Sequence, residues 1–388
     1  MGTNTEARPE IDPRHAPHGG PGHHDAVTAS RRTPRGRPRA AGAVPAPGEY
    51  PLSNGTAELA KDLDVPAGWM LSIDGVASSY VDLEDPTRLE FEYVQWIGAL
   101  LDHLGEPGAP LDTAHLGGGA FTLPRYVAAT RPRSVQVAFE YDERLVTLAR
   151  DSLGLRTSPR LRVRVVDARA GVRKLRADSQ DVVIRDAFVG TDVPAHLRTV
   201  EFTRDVDRVL RHGGVYVCNL ADRPPLAGLR AEAATLLAVF RHVLLVTEPA
   251  ILRGRRYGNL VLAASQRPLP ELDLARAVAR GVAPARVTGT GKVTELARNA
   301  VPLADVPIGA AAPTVGPSEP REATMGLGDK IENKLDEAKG NAKESIGDAT
   351  DDESMQAEGQ AEATGAKVSQ AGEHVKDAAK DVKDSFTS

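Results

Sequence analysis

Cysteine is almost absent from this chain: 388 residues contain one, Cys218. That excludes an intramolecular disulfide framework and a zinc site built on several thiolates. Long apolar runs are also missing. None approaches the roughly 18 residues that a membrane helix needs, and the polar, Pro-broken N-terminus has no apolar signal-peptide core. A cytoplasmic protein without a membrane span is the expectation. Excess charge of one sign is absent too. A formal net charge of −5 gives no support to a chain-wide nucleic-acid binder. Aromatics are scarce and unevenly placed. Of sixteen Phe, Trp and Tyr, fifteen lie between Tyr50 and Tyr257, and the last is Phe386. Large cores draw on large side chains, so the packed domain is expected within about residues 50–265, long enough to bury a substantial core.

What is present divides the chain into four parts. Residues 1–48 hold no aromatic, many Pro and Gly, seven Arg and four His. Such a composition cannot bury enough apolar surface to offset chain entropy, so a disordered arm is expected. Its His15, His18, His23 and His24 have no helical or turn spacing that would gather a metal. Residues 49–308 carry hydrophobic periodicity, and residues 309–324 read as a Pro/Gly/Ala linker. Residues 325–388 have a different character. The first 324 residues contain 37 Arg and 3 Lys, whereas the last 64 contain 8 Lys and no Arg. Those eight Lys face fifteen acids, a net of −7, while the preceding residues carry 40 basic against 38 acidic side chains. The shift starts at Met325, which fits either a fusion or a read-through between two reading frames.

Within 49–308, strand and helix signals alternate. Trp69–Ile73 and Val76–Leu83, joined by Asp74-Gly75, predict a β-hairpin. Strands are predicted at Asp112–Leu116, Ser134–Phe139, Leu161–Val166, Asp181–Ile184, Val215–Asn219, Val243–Thr247 and Asn259–Ala263. Helices are predicted at Phe121–Ala129, Asp142–Ser152, Glu201–Leu210 and Leu226–Phe240, with Gly213-Gly214 as a stop after the third. This alternation implies an α/β fold with a mainly parallel, doubly wound, Rossmann-like sheet.

Ligands of such sheets bind beyond the carboxyl ends of the strands, and four polar features fall there. Gly117, Gly118 and Gly119 form a turn whose backbone can approach a ligand closely and take positive φ. Amides at the following helix N-terminus suit a carboxylate or phosphate. Glu140, 23 residues after Gly117, is placed to accept hydrogen bonds from both ribose hydroxyls. Asp167 is placed to receive an adenine amino group, and Asp186 lies toward the reacting end. The glycine turn lacks a third glycine, since Thr122 stands there, and alone it is equally structural punctuation. Three acids at successive strand ends favour an S-adenosylmethionine-type ligand over a dinucleotide. Cys218 reads as a buried small apolar residue, His115 as structural, and Arg253, Arg255 and Arg256 as a solvated loop.

The stretches SIDGVASSYVDLEDPTRLEFEY, AHLGGGAFTLPRY, VAFEYDERLVTLAR, VVDARAG and VVIRDAF resemble the spermidine synthase family, within the class I methyltransferase fold. The resemblance runs from about Gly68 to Pro307. It implies that Gly117, Gly118 and Gly119 cradle the amino-acid or thioether part of S-adenosylmethionine or its decarboxylated form. It further implies that Glu140 binds ribose, that Asp167 and Ala168 bind adenine, that Tyr93 and Ser78 line the substrate site, and that the chain forms a homodimer. Several positions depart from the family. Ala120 replaces an acid that holds the donor propylamine, and Ser78 replaces a glutamine. The Tyr-His-Glu run becomes Tyr93-Val94-Gln95, and Asp186-Ala187-Phe188-Val189 keeps only the first of two aspartates. Desolvated ammonium groups need carboxylate partners, so these changes argue against aminopropyl transfer unless Asp82, Glu84, Glu90 or Glu92 compensates. Losing the acid at Ala120 also favours ordinary S-adenosylmethionine, whose carboxylate an acid would repel. The expected activity is transfer of a methyl or aminopropyl group to a small-molecule amine or other nucleophile, with Asp186 as the catalytic residue. A nucleoside-binding scaffold without turnover remains the alternative.

In 325–388, Ile331, Leu335, Ala338, Ala342 and Ile346 form one narrow apolar stripe, and Val368, Ala371, Val375, Ala379 and Val382 another. Gly340, Gly347, Gly359, Gly365 and Gly372 weaken a continuous helix, so a labile helical tail is expected. GDKIENKLDEAKGNAKESIGDAT, AEGQAEATGAK and KDAAKDVKD resemble the CsbD-like family of bacterial stress-response proteins. That resemblance implies a stress association, and a role carried by the tail alone is a third reading.

Overall fold

The structure is a computed structural model that describes residues 45–306. Residues 1–44 of the expected arm, the last two residues of the expected domain, and the linker and tail lie outside the described residues, and Gly48, assigned to the arm, opens the first strand.

Four strands open the described chain: β1 (Gly48–Pro51), β2 (Thr56–Lys61), β3 (Gly68–Ile73) and β4 (Val76–Asp82). They form an antiparallel sheet in that order. The β3–β4 hairpin matches the sequence expectation. The two strands before it do not announce themselves, because GEYP has four residues and TAELAK carries one large apolar side chain, Leu59. Helix α1 (Glu92–Asp102) follows.

The main domain then alternates. Its first half runs β5 (Thr113–Leu116), α2 (Thr122–Thr130), β6 (Gln136–Glu140), α3 (Glu143–Asp151), β7 (Leu161–Val165), α4 (Ala168–Arg173) and β8 (Gln180–Arg185). The second half runs α5 (Val200–Val209), β9 (Leu210–Asp222), α6 (Ala227–Leu237), β10 (His242–Thr247), α7 (Pro249–Leu252), β11 (Gly258–Ser265), α8 (Glu271–Arg280), β12 (Arg286–Thr288) and α9 (Thr290–Leu296). The eight strands form one sheet in the order β12-β10-β11-β9-β8-β5-β6-β7. Strands β7, β6, β5, β8 and β9 are mutually parallel, whereas β11 and β12 run against their neighbours. The parallel expectation therefore holds for the half of the sheet that carries the glycine turn. The other edge is antiparallel, because the β9–β11 and β10–β11 pairs span the late strands.

Successive strand residues feed opposite faces, as the pleat requires. Val183, Tyr216 and Cys218 pack toward α4, α5 and α6, beside Val172, Phe202 and Leu229. Val182, Ile184, Val215 and Val217 pack on the other face, with Trp96 and Ile97 of α1, Leu123 of α2 and Leu274 of α8. Burial on both faces is what makes these strands read as continuous apolar runs. The helix before β9 ends at Val209, and the chain enters the strand at Leu210, so Gly213 and Gly214 lie within β9 and do not stop the helix. The small antiparallel sheet packs Leu59, Trp69 and Leu71 against Leu145 and Leu148 of α3.

Candidate functional site

One rung of the parallel sheet sets the site. Register pairs Leu116 with Phe139 and with Arg185, and Arg185 with Cys218. The next residue on each of these four strands is polar or glycine: Gly117, Glu140, Asp186 and Asn219. Three of the four were legible in sequence, and the sheet brings all of them to one carboxyl edge.

The glycine turn is shaped by its neighbours. Gly117 has φ +102°, and a Cβ there would collide with the Asp186 carbonyl oxygen. Its N–H donates to the Phe139 carbonyl at 2.9 Å. The Gly118 N–H donates to Oε2 of Glu140 at 2.8 Å. Gly119 has φ +51°, and a Cβ there would stand 3.2 Å from Ser79 Cβ. That contact brings β4 beside the turn, where Ser79 Oγ lies 3.1 Å from Thr122 Oγ1. Phe121, fully buried, holds a left-handed φ of 60° at the start of α2. Such a conformation in a non-glycine residue costs on the order of 1–3 kcal/mol and tends to mark functional turns.

Glu140 is buried. Burial raises its pKa, while N–H donors from Asp142, Gly118 and Tyr141 oppose that shift. Its Oε1 accepts from the Asp142 N–H at 2.9 Å and its Oε2 from Gly118. An ionised carboxylate offers about four lone-pair positions, so the three N–H donors leave it capacity for a further donor. A ribose hydroxyl supplies such a donor.

Asp167 caps α4 through the Ala170 N–H at 2.9 Å. Its second oxygen meets Nε2 of His196 at 2.7 Å, a partner the sequence reading missed. Burial works against ionisation of Asp167, but the Ala170 and His196 contacts outweigh it and hold the pKa below the ordinary carboxylate value. Ala168 is buried in the main core, so only its backbone is available to a ligand. The Val166 N–H donates to the Glu140 carbonyl at 2.9 Å, which ties the Asp167 loop to the end of β6.

Asp186 is half-buried at the end of β8. Tyr93 Oη donates to its Oδ2 at 3.1 Å, and Asn219 Nδ2 donates to its Oδ1 at 3.2 Å. Burial raises the Asp186 pKa despite these donors, and burial together with the Asp186 charge pushes the Tyr93 hydroxyl well above its usual value. Tyr93 therefore donates and stays neutral. Asn219 had one sequence signal, a lone amide interrupting the apolar run VYVCNL. Beneath it, Arg185 is wholly buried and pairs with Glu232 at 2.6 Å, while Arg198 reaches the other Glu232 oxygen at 2.6 Å.

Other positions singled out in the sequence have these surroundings. The Ser78 hydroxyl turns back to the Val76 carbonyl at 2.7 Å, so its side chain serves its own strand. Ala120 is fully buried in the apolar cluster under the small sheet. Gln95 donates to the carbonyls of Leu89 and Glu90 and braces the entry to α1. Among the acids near the hairpin, Asp82 accepts from the Glu84 and Asp85 N–H groups, Glu90 pairs with Arg88, and Glu92 accepts from Asn259 Nδ2 at 2.8 Å. Cys218 is buried and its thiol is pushed up to about 12 by burial, which leaves it inert. Arg256 pairs with Glu248. No group of three or more metal-ligating side chains, and no helix long and apolar enough to cross a membrane, occurs among the described residues.

Comparison with known proteins gives two sets of likenesses. Residues 329–381 match the CsbD-like family. The chain is 51% identical over 59 residues to a UPF0337 protein of Cutibacterium acnes, which is 15% of this chain and 83% of that one. It is 31% identical over 163 residues to a polyamine aminopropyltransferase of Vibrio vulnificus, 42% of this chain and 52% of that one. The chain thus spans about half the length of the polyamine aminopropyltransferases it matches. Among solved structures, that of a probable spermidine synthase from Corynebacterium glutamicum superposes with a TM-score of 0.65 at 34% identity, covering 70% of this chain and 100% of that one.

Proposed function

Because the chain belongs to the spermidine synthase-like family and carries a CsbD-like segment, we propose that residues 49–308 form a transferase that uses S-adenosylmethionine with its carboxylate intact. The observation that carries this reading is the single row of Gly117, Glu140, Asp186 and Asn219 beyond one rung of the sheet. It aligns a diol acceptor, a close-approach turn and a hydrogen-bonded carboxylate along one edge.

The residues suit the ligand. Glu140 keeps acceptor capacity for a ribose hydroxyl beside its N–H donors. Gly117 and Gly119 leave the turn without side chains, so the backbone can lie against the amino-acid portion. Asp167 offers an acceptor to the purine amine. The sulfonium supplies an electrophilic carbon and a neutral thioether leaving group, so placement of the acceptor provides much of the catalysis. Asp186 orients the acceptor nucleophile and takes its proton. Burial raises its pKa toward the range useful to a general base, and Tyr93 and Asn219 fix its direction.

Donor choice follows from Ala120. A donor ammonium needs a carboxylate partner, and an unpaired charge-assisted contact costs about 1.5–3 kcal/mol. Ala120 supplies no such partner and sits wholly within an apolar cluster. Side-by-side calorimetric titration of the full chain tests this. The expected result is tighter binding of S-adenosylmethionine than of its decarboxylated form, by tenfold or more. Preference for the decarboxylated form would overturn the donor assignment and restore aminopropyl transfer. Binding of neither would leave a scaffold without donor chemistry.

A further inference from the structure

His196 lies outside the row that defines the site, on a short 3-10 turn, Ala195–Leu197, in the connection between β8 and α5. It is nevertheless fastened to the residue proposed to read the base. Asp167 spends Oδ1 on the Ala170 N–H and meets His196 Nε2 with Oδ2. The Asp167 carboxylate is held in its ionised form and so only accepts, which places the hydrogen on Nε2 of His196.

Both side chains are about half exposed, at 48% and 47%, and an isolated contact of that kind has little directional hold. Here the His196 backbone is pinned from below. Arg169, largely buried, donates through one terminal nitrogen to the His196 carbonyl at 3.2 Å. Its two terminal nitrogens also grip both oxygens of Asp305, at 2.7 and 2.5 Å. Asp305 belongs to the last described stretch of chain, which is itself tied down. Leu303 accepts from the Val200 N–H and donates to Thr235 Oγ1, both at 2.8 Å, and the Asp305 N–H donates to Glu201 at 2.9 Å. A continuous path therefore runs from this last described stretch through Arg169 and His196 to Asp167.

We infer that His196 is a positioning residue for base selection: it locks the Asp167 carboxylate so that its remaining lone pair meets a donor at purine position 6, making the site selective for 6-amino over 6-oxo nucleosides. The inference rests on the nucleoside reading above and adds a residue and a specificity to it. The physics is the asymmetry of hydrogen bonding. A fixed acceptor gains a contact from an amine, but faces an unpaired carbonyl in the 6-oxo base, and sites built around one polar contact reject the mismatched analogue strongly. A carboxylate free to rotate into water would tolerate both.

The test uses the full chain and two probes, S-adenosylhomocysteine and its 6-oxo counterpart S-inosylhomocysteine, titrated calorimetrically. The wild type is expected to prefer the 6-amino probe by at least tenfold. In His196→Ala the preference is expected to fall about fivefold or more. His196→Gln, whose amide can still donate to Asp167, is expected to recover most of it. Thermal melts of both variants establish folding. An unchanged preference in His196→Ala would overturn the inference, as would an equal loss for both probes, which marks a purely structural role. A gain in 6-amino affinity would also overturn it, because His196 would then be competing with the base. If the wild type binds neither probe, the nucleoside reading falls first and this inference with it, an outcome distinct from binding without His196-dependent selectivity.

Discussion

At the residue scale, His115 shows how a chemically suggestive side chain can be structural. It lies two residues before the glycine turn, yet its ring is buried and its Nε2 sits 2.8 Å from the Gln136 amide oxygen. Gln136 in turn donates to the Pro124 carbonyl, which fixes its oxygen as the acceptor and Nε2 of His115 as the donor. Burial lowers the His115 pKa to about 4, against 6.5 for the free side chain. The unfolded chain therefore binds this proton first as pH falls. The stability held above pH 6.5 is lost progressively between about 6.5 and 4, by about 3 kcal/mol in all. Urea unfolding at pH 7 and pH 4.5 is expected to show that slope, and His115→Gln to flatten it. A slope unchanged by the substitution would place the acid sensitivity elsewhere. The same scale shows what sequence could supply. Glu140, Asp167 and Asp186 were legible because each ends a strand. Asn219 and His196 were not, because their roles arise from partners 33 and 29 residues away.

At the scale of elements, the alternation of strand and helix was legible wherever a strand is buried on both faces and so forms an apolar run. Strands β1, β2 and β12 are short, and helices α4 and α7 have six and four residues, too few for a helical period to show. Least visible was the ion network behind the site. Arg185 of β8 pairs with Glu232 of α6, and its Nη1 also donates to the Leu197 carbonyl at 2.8 Å. It thereby joins the central strand, a helix and the turn that carries His196. Removing one partner of a buried pair costs about 3–5 kcal/mol, and Arg198 remains to Glu232, so Arg185→Met is expected near the lower figure. Paired with Glu232→Gln, its cost is expected to fall well short of the sum of the single changes. Chemical denaturation of the three variants reads this directly, and additive losses would contradict the network.

At the scale of the whole molecule, two sequences of different character share one chain. Residues 45–306 of the Arg-rich part fold around the sheet, while the Lys-rich part matches a separate family from residue 329 to 381. The candidate site is assembled from residues 93 to 219, within the Arg-rich part, and its proposed chemistry draws on no side chain beyond residue 325. In the proposed reading these positions are joined by a ligand with a diol, a purine and a sulfonium, and the diol contact is the one on which the rest depends. The most direct measurement is therefore calorimetric titration of the full chain with S-adenosylhomocysteine, comparing the wild type with Glu140→Gln. The variant keeps the shape of the side chain but removes its charge and half its acceptor capacity. Loss of a charge-assisted contact worth about 1.5–3 kcal/mol predicts affinity weakened roughly ten- to a hundredfold, with the fold retained. Equal affinity in the two proteins would contradict the account, because the nucleoside would then be held somewhere other than the carboxyl edge of the sheet.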